Sequence, residues 1–470
     1  MPETEIPLSN NKTSPLRLTR VRSLIARWTL PSDDRGRIRM VVDSLILHLH
    51  PSKVPISTLR WTYTWGLGGL STLLVLILGI TGAILLNNYT PSAPQAYLDI
   101  LELRANVWFG DWVRNLHHWS ANLLILAAVL HLVRVFLSGA YRPPRHLNWL
   151  IGWGMLLLIA AANFTGYLLP WDQLAYWAIT VGSSLITYVP MVGEPLSRLI
   201  LGGIEVSTNT LQNFYALHIS FIPLLIFALM SYHFWRVRKD GGLSLPKSHA
   251  RQEESRVERV TTIPHLVQRE VVFALVWIAL LILMGIAIPA PLEGIANPNL
   301  SPNPAKAPWY FLGFQELLLH FHPLLVVGLF PLLFGSLIVL LPVWDRQPDS
   351  VGVYFRSAKG KRLAQLAVGL ALILTPSWVI ADEKLFSWAE WLPFLPQWIT
   401  AGLLPLVSIT FFSLILDYVI QRGFKASLEE RILFQASLLF TAFVILTLIG
   451  IFFRGHGMEL VLPWQGTSLK

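Results

Sequence analysis

The chain of 470 residues contains no cysteine. That absence removes thiolate metal sites, iron–sulfur clusters, disulfides and thioether attachment of any cofactor. Charge is scarce as well. Asp, Glu, Lys and Arg make up 13% of the residues against 54% hydrophobic ones, a balance too apolar for an ordinary soluble domain. The net charge of +9 comes from basic residues spread over the segments between apolar runs, so no nucleic-acid partner is expected. Residues 1–35 are polar and Arg-rich without an apolar stretch. No secretory signal peptide is expected there, and the first apolar run is expected to target the chain to the membrane.

What the chain does have is apolar runs of membrane-spanning length. They lie near 62–86, 114–137, 149–169, 214–236, 271–290, 324–342, 363–381, 399–420 and 433–453, each long enough as a helix to cross the hydrocarbon core of a bilayer. The expected fold is an all-α polytopic transmembrane protein of about nine spans. The Gly- and Pro-interrupted stretch 176–206 reads as a loop with short helices. Residues 37–50, including His48 and His50, read as an amphipathic surface helix, with both histidines at the interface rather than acting as ligands. Arg142 and Arg145 follow the second run, Arg236, Arg238 and Lys239 the fourth, Lys359 and Arg362 the sixth, and Arg422 the eighth. By the positive-inside rule these segments and the N-terminus face the cytoplasm and the C-terminus lies outside. The 19 tryptophans cluster near the ends of the runs, as an aromatic belt would, among membrane lipids.

Two of the runs carry two histidines each: His117 and His131 in the second, His218 and His233 in the fourth. The separations of fourteen and fifteen positions return to within about 40° and 60° of the starting face of a helix, with a rise of about 21–22 Å between the two rings. Each helix thus projects two imidazoles from one stripe at two membrane depths, which suits two stacked bis-histidine haems. His118 is the internal control, because it lies roughly 140° from the His131 face, so geometry selects His117. Gly68 and Gly82, and Gly152 and Gly166, repeat the fourteen-residue interval in the first and third runs. A missing Cβ there lets a flat macrocycle approach the backbone, although small residues also serve plain helix packing. Arg114, Arg134, Arg236, Arg238 and Lys239 sit at the ends of the histidine-bearing helices, where they either pair with haem propionates or anchor the helix ends.

Together these residues resemble the cytochrome b subunit of the bc and bf quinol-oxidising complexes, over roughly residues 40–345 and again near 430–464. The matching segments are Arg114-Asn-Leu-His117-His-Trp119-Ser120, Thr165-Gly166-Tyr167-Leu-Leu-Pro170-Trp171-Asp172-Gln173 and Pro308-Trp309-Tyr310-Phe311. The fifteen-position step resembles the bf type and its bacterial relatives. The resemblance implies two non-covalent b haems, His117 with His218 near the outer face and His131 with His233 near the cytoplasmic face. It implies quinol oxidation at the outer face between the loops after the third and fifth spans, with Gly166, Tyr167, Pro170 and Trp171 from one loop and Pro308, Trp309 and Tyr310 from the other. One electron would pass to a high-potential acceptor and the other inward to a quinone. Because the chain has no cysteine, a separate Rieske iron–sulfur subunit is implied, with a c-type cytochrome or equivalent carrier downstream, a homodimeric complex, and a prokaryotic cytoplasmic (inner) membrane.

The expected organisation is an N-terminal segment (1–60), a four-helix di-haem bundle (61–240), a linker (241–269), quinol-site helices (270–345) and a C-terminal membrane region (346–470). Three departures accompany the resemblance. The usual Pro-Glu-Trp-Tyr reads Ala307-Pro308-Trp309-Tyr310, so its carboxylate is missing. Glu316 is the candidate substitute acting with Tyr310, ahead of Glu293, and the altered motif favours menaquinone as the quinone. Gly66 stands where bf-type proteins tether an extra haem through cysteine. Two spans, about 363–381 and 399–420, look inserted. His320 and His322 are expected in the outer loops as proton relays, Rieske contacts or simple surface groups. Two other classes share parts of this pattern: a di-haem anchor of a non-Rieske quinone-linked oxidoreductase, and a transporter without cofactor.

Overall fold

The computed structural model describes residues 51–245, 258–345, 351–386 and 388–462. The surface helix expected at 37–50 and linker residues 246–257 lie outside the described residues. Described residues from Lys53 onward form a single unit.

Its helices are α1 (Leu67–Asn88), α2 (Gln95–Ala105), α3 (Gly110–Leu137), α4 (His146–Leu168), α5 (Gln173–Ile186), α6 (Gly193–Leu201), α7 (Thr208–Lys239), α8 (Thr262–Ala287), α9 (Leu312–His320), α10 (Leu325–Trp344), α11 (Ala358–Lys384), α12 (Ile399–Gly423) and α13 (Leu428–Phe452). Among the described residues nine are long and apolar enough to cross a membrane: α1, α3, α4, α7, α8, α10, α11, α12 and α13. The protein is therefore a multi-pass helical membrane protein, and α5 and α6 are the short helices of the 176–206 stretch. Strand β1 (Lys53–Pro55) pairs antiparallel with β2 (Arg259–Thr261), fastening the entry to α1 against the entry to α8.

Helix ends follow local chemistry. Asp172 caps α5 by accepting the Ala175 N–H at 2.9 Å, and Ser357 caps α11 by accepting the Gly360 N–H at 2.8 Å. Ser427 and Glu430 form a capping box on α13. Three spans contain a π turn, at Leu217–Phe221, Leu325–Leu329 and Ile399–Leu403, and each is followed within two residues by a proline: Pro223, Pro331 and Pro405. Proline has no N–H for the carbonyl four residues back and its ring crowds that carbonyl, so the helix widens by one residue just before it.

Helices α1, α3, α4 and α7 bury Leu70, Leu74, Leu124, Ile159, Ile222 and Ile226 in one cluster, which α8 joins through Leu281. At the end of the bundle that holds His117, Trp171, Ala175, Ile179, Leu201 and Phe214 form a second cluster. The two spans that looked inserted, α11 and α12, pack with α13 through Leu363, Ala367, Ile420 and Phe434. A buried ionic knot joins this region to the bundle. Asp345 accepts from Tyr141, from Arg142 Nη2 at 2.5 Å and from Arg356 Nη2 at 3.1 Å, and Arg142 also reaches Glu429 at 3.0 Å.

Candidate functional site

The four histidines and the four glycines meet in pairs. A Cβ added to Gly82 would lie 3.3 Å from the His117 ring, one at Gly68 3.3 Å from His131, one at Gly166 2.6 Å from His218 and one at Gly152 3.9 Å from His233. Helix α1 thus supplies glycines against the α3 histidines, and α4 supplies them against the α7 histidines. His117 and His218 face each other across the bundle with ring centroids 6.3 Å apart.

The fifteen-residue step in α7 has a local cause. His218 lies inside the π turn Leu217–Phe221 that precedes Pro223. That turn absorbs one residue, so His218 and His233 come onto one face as if fourteen apart, matching α3.

Threonines hold the ring orientation at the His117 level. Thr81 Oγ1 donates to the Ile77 carbonyl at 2.8 Å, which leaves it to accept from His117 Nδ1 at 2.8 Å. Thr165 does the same, donating to Ala161 at 2.8 Å and accepting from His218 Nδ1 at 3.1 Å, while the Ala162 carbonyl lies 3.0 Å from that nitrogen. With the proton on Nδ1, Nε2 of both rings presents a lone pair for a metal. Sequence reasoning missed both residues. The signal was there, since Thr81-Gly82 and Thr165-Gly166 are the same doublet in the two flanking helices.

At the other level a cavity between His131 and His233 is lined by Gly68, Gly152, Arg145, Asn148 and Ser244. Arg145 Nε, Asn148 Oδ1 and Ser244 Oγ are buried there without hydrogen-bond partners, and the Arg145 N–H and Ser244 hydroxyl are donors suited to carboxylates such as haem propionates. The residues therefore fit two bis-histidine haems. Of the arginines singled out from sequence, Arg114 donates to the Ala290 and Pro291 carbonyls at 3.0 and 2.7 Å. Arg134 donates to the Tyr63 carbonyl at 2.9 Å and to Tyr354 Oη at 3.3 Å. Arg238 lies in the last turn of α7. The space beside Gly66, whose φ is +63°, is filled by Phe273, 2.9 Å from where a Cβ would sit.

The two loops expected to form a quinol site are joined to each other. Gln173 N–H donates to the Gly294 carbonyl at 2.8 Å, Ala296 N–H to Trp171 at 3.2 Å, and Glu293 N–H to Asp172 Oδ2 at 3.0 Å. Burial pushes the Asp172 carboxyl above its ordinary range despite the N–H groups of Glu293 and Ala175. Trp171 is buried in a left-handed backbone conformation, φ +52°. Trp309–Phe311 form a single 3₁₀ turn, with Phe311 packed against Phe164 at 5.6 Å. Burial pushes the Tyr310 phenol up, so it stays protonated.

Glu316 belongs to a buried ionic cluster. It is 1% exposed, and Arg454 grips both of its carboxylate oxygens at 3.0 Å through Nε, with a further short contact through Nη2. Burial raises its pKa, but the neighbouring His320 imidazole and the Arg454 guanidinium outweigh burial and hold the carboxyl below its ordinary value. His320 lies 3.5 Å from Glu316 and 2.7 Å from Asp382, and Arg454 also pairs with Glu383. His320 is buried, so it is not a surface group, while His322 packs edge-on to Tyr188 at 5.8 Å. Arg454 was not foreseen, because a partner 138 positions away leaves no local mark.

Comparison with known proteins identifies the family. Residues 122–303 match the family described as cytochrome b (N-terminal)/b6/petB. Cytochrome b6 of Heliobacterium mobile is 40% identical over 192 residues, 41% of this chain and 88% of that protein. Cytochrome b6 of Synechococcus sp. (strain RCC307) is 35% identical over 209 residues, 44% of this chain and 93% of that protein. A chain of a solved structure titled "Hyperthermophilic respiratory Complex III" shares the fold with TM-score 0.63 and 21% identity, over 89% of this chain and 98% of that one. With relatives covered over nearly their whole length and the histidine–glycine frame intact, the chain belongs to the cytochrome b/b6 family.

Proposed function

We propose that this protein is the cytochrome b subunit of a Rieske/cytochrome b complex, coupling quinol oxidation at the outer face to quinone reduction at the cytoplasmic face and to proton translocation. The single observation that carries the reading is the histidine frame, in which two pairs of rings from α3 and α7 each face glycines on α1 and α4. When bound, two b haems supply one-electron redox chemistry at two depths of the membrane. The chain's own task is to hold and orient them. His117 and His218 ligate one, and His131 and His233 the other. Thr81 and Thr165 fix the ligand tautomers at the His117 level, and Arg145 and Ser244 receive the charged edge of the group beside His131. Arg134 and Arg238 add positive charge at that end and Arg114 at the other.

In this reading the quinol site lies between the joined loops, lined by Gly166, Tyr167, Pro170, Trp171, Pro308, Trp309 and Tyr310. Tyr310, kept protonated by burial, orients the quinol by hydrogen bonding. Glu316 is the proton acceptor substituting for the missing carboxylate, and it works against the field of Arg454. Menaquinol is the favoured substrate. The partners are a Rieske iron–sulfur subunit, a c-type cytochrome or equivalent carrier and a second copy of the complex, in a prokaryotic inner membrane with the N-terminus cytoplasmic and the C-terminus outside. The loops joined through Gln173, Asp172 and Glu293 favour this reading over a di-haem anchor, which needs no such junction. The experiment is quinol:acceptor oxidoreductase assay of the purified complex. Turnover with quinol and a high-potential acceptor supports the proposal, and a haem-replete complex that oxidises no quinol refutes it.

A further inference from the structure

We infer that Asn122 is the positioning residue of the quinol site, its side-chain amide fixing Trp309, and through it Tyr310, to the helix that carries His117 and His131. The inference rests on the quinol-site reading above. Asn122 Oδ1 accepts the Trp309 indole N–H at 2.6 Å, while its Nδ2 donates to the His118 carbonyl at 2.9 Å and to His118 Nε2 at 3.3 Å. The amide oxygen thus takes the indole N–H, and the amide nitrogen steadies the side chain against its own helix. Indole has a single donor, so its ring orientation is set by where that one bond goes.

The rest of the loop does not supply the same anchor. Gln315 accepts the Ala307 N–H and donates to the Ala305 carbonyl, each at 2.7 Å, which closes the loop on its own helix. Asn122 instead joins the loop to α3. Trp309 packs on the buried cluster of the bundle, and Tyr310 follows it with ring centroids 5.7 Å apart in an edge-on contact. Pro308 stands where the family carries a carboxylate, so the side chain at that position offers no polar contact. The tryptophan–amide bond is what keeps the turn seated on the bundle. Losing it would leave a half-buried indole donor without a partner and let the 3₁₀ turn shift, which loosens quinol before it disturbs the histidines.

The test uses the intact complex purified from membranes, with decylubiquinol and a short-chain menaquinol analogue as probes. Asn122→Leu is expected to raise KM about five- to tenfold, the usual scale for one lost hydrogen bond, with both haem spectra unchanged. Asn122→Asp keeps the acceptor oxygen and is expected within about twofold of the wild type. Trp309→Phe removes the bond from the other side, so the Asn122→Leu/Trp309→Phe double variant should be no worse than either single one. A wild-type KM in Asn122→Leu, or single effects that multiply in the double variant, overturns the inference while leaving the quinol-site reading intact. If Asn122→Leu does not assemble, Asn122→Asp and Trp309→Phe decide: an Asp variant as impaired as Trp309→Phe overturns it. A wild-type complex that oxidises neither quinol removes the site itself, and the inference with it.

Discussion

His320 Nδ1 lies 2.7 Å from Asp382 Oδ2, a contact that ties the helix after the Trp309–Phe311 turn to a transmembrane helix looking inserted in the sequence. Burial lowers the His320 pKa, but the hydrogen bond to Asp382 and the Glu316 carboxylate beside it outweigh burial and hold it above the ordinary value. A raised folded pKa means that stabilisation is fully present below the ordinary histidine value of about 6.5 and is lost as pH rises through the folded value. Glu316 has the opposite sign, its contribution being present above the ordinary carboxylate value and lost as pH falls through its depressed folded value. Glu383, Arg454 and Lys306 face the same cluster. The thermal midpoint of the detergent-solubilised protein should therefore fall on the alkaline side, and His320→Gln should flatten that arm. An unchanged alkaline arm in His320→Gln would show that the imidazolium does not hold this junction.

Glu316→Gln tests the proton-acceptor role. It keeps the shape of the side chain and removes its charge, leaving Arg454 paired with Glu383. Quinol turnover is expected to drop about a hundredfold, the low end for loss of an acid–base group, with both haem spectra intact. Full turnover would restrict Glu316 to its ion pair with Arg454.

Pro223→Ala tests the π turn. With an N–H restored, the helix is expected to return to α register and leave His218 about 60° out of line with the His233 face. The haem content should fall from two to one per chain, with the centre held by His131 and His233 kept. Two haems at unchanged potentials in Pro223→Ala would show that the turn does not depend on its proline.

Asp345→Asn should be among the most destabilising changes outside the bundle. Asp345 receives Tyr141, Arg142 and Arg356 in an environment closed to water. Removing its charge leaves cations buried with less compensation, a loss of about 3–5 kcal/mol where a buried pair is broken. Denaturant or thermal unfolding followed by the haem absorption band would measure it, and a midpoint equal to the wild type would contradict the assignment.

Much of this architecture was legible because membrane helices declare themselves by apolar length and the site by period. The nine expected runs coincide with the nine long helices to within a few residues at most ends. The fourteen-residue repeat shared by Gly68–Gly82, Gly152–Gly166 and His117–His131 is a face-selecting interval that survives any detail of packing. The fifteen-residue step was the exception, because a straight helix leaves His218 about 60° out of line, and only the π turn before Pro223 removes the discrepancy. Contacts between distant segments stayed hidden. Arg454 on Glu316, Phe273 over Gly66 and Asn122 under Trp309 join residues of chemically ordinary type across 138, 207 and 187 positions, and nothing in their own neighbourhoods announces the partner. The unsatisfied side-chain atoms of Arg145, Asn148 and Ser244 were equally silent, since a polar residue near a helix end is expected at any membrane interface.

The central claim is that four histidines hold two b haems at two depths. The most direct test is a redox-titrated visible spectrum of the purified complex with a pyridine haemochrome assay, repeated for His131→Ala. The account predicts two b haems per chain at separate potentials, and in the variant loss of one centre with the other retained. A colourless complex, one haem per chain, or an unaltered spectrum in His131→Ala would contradict it.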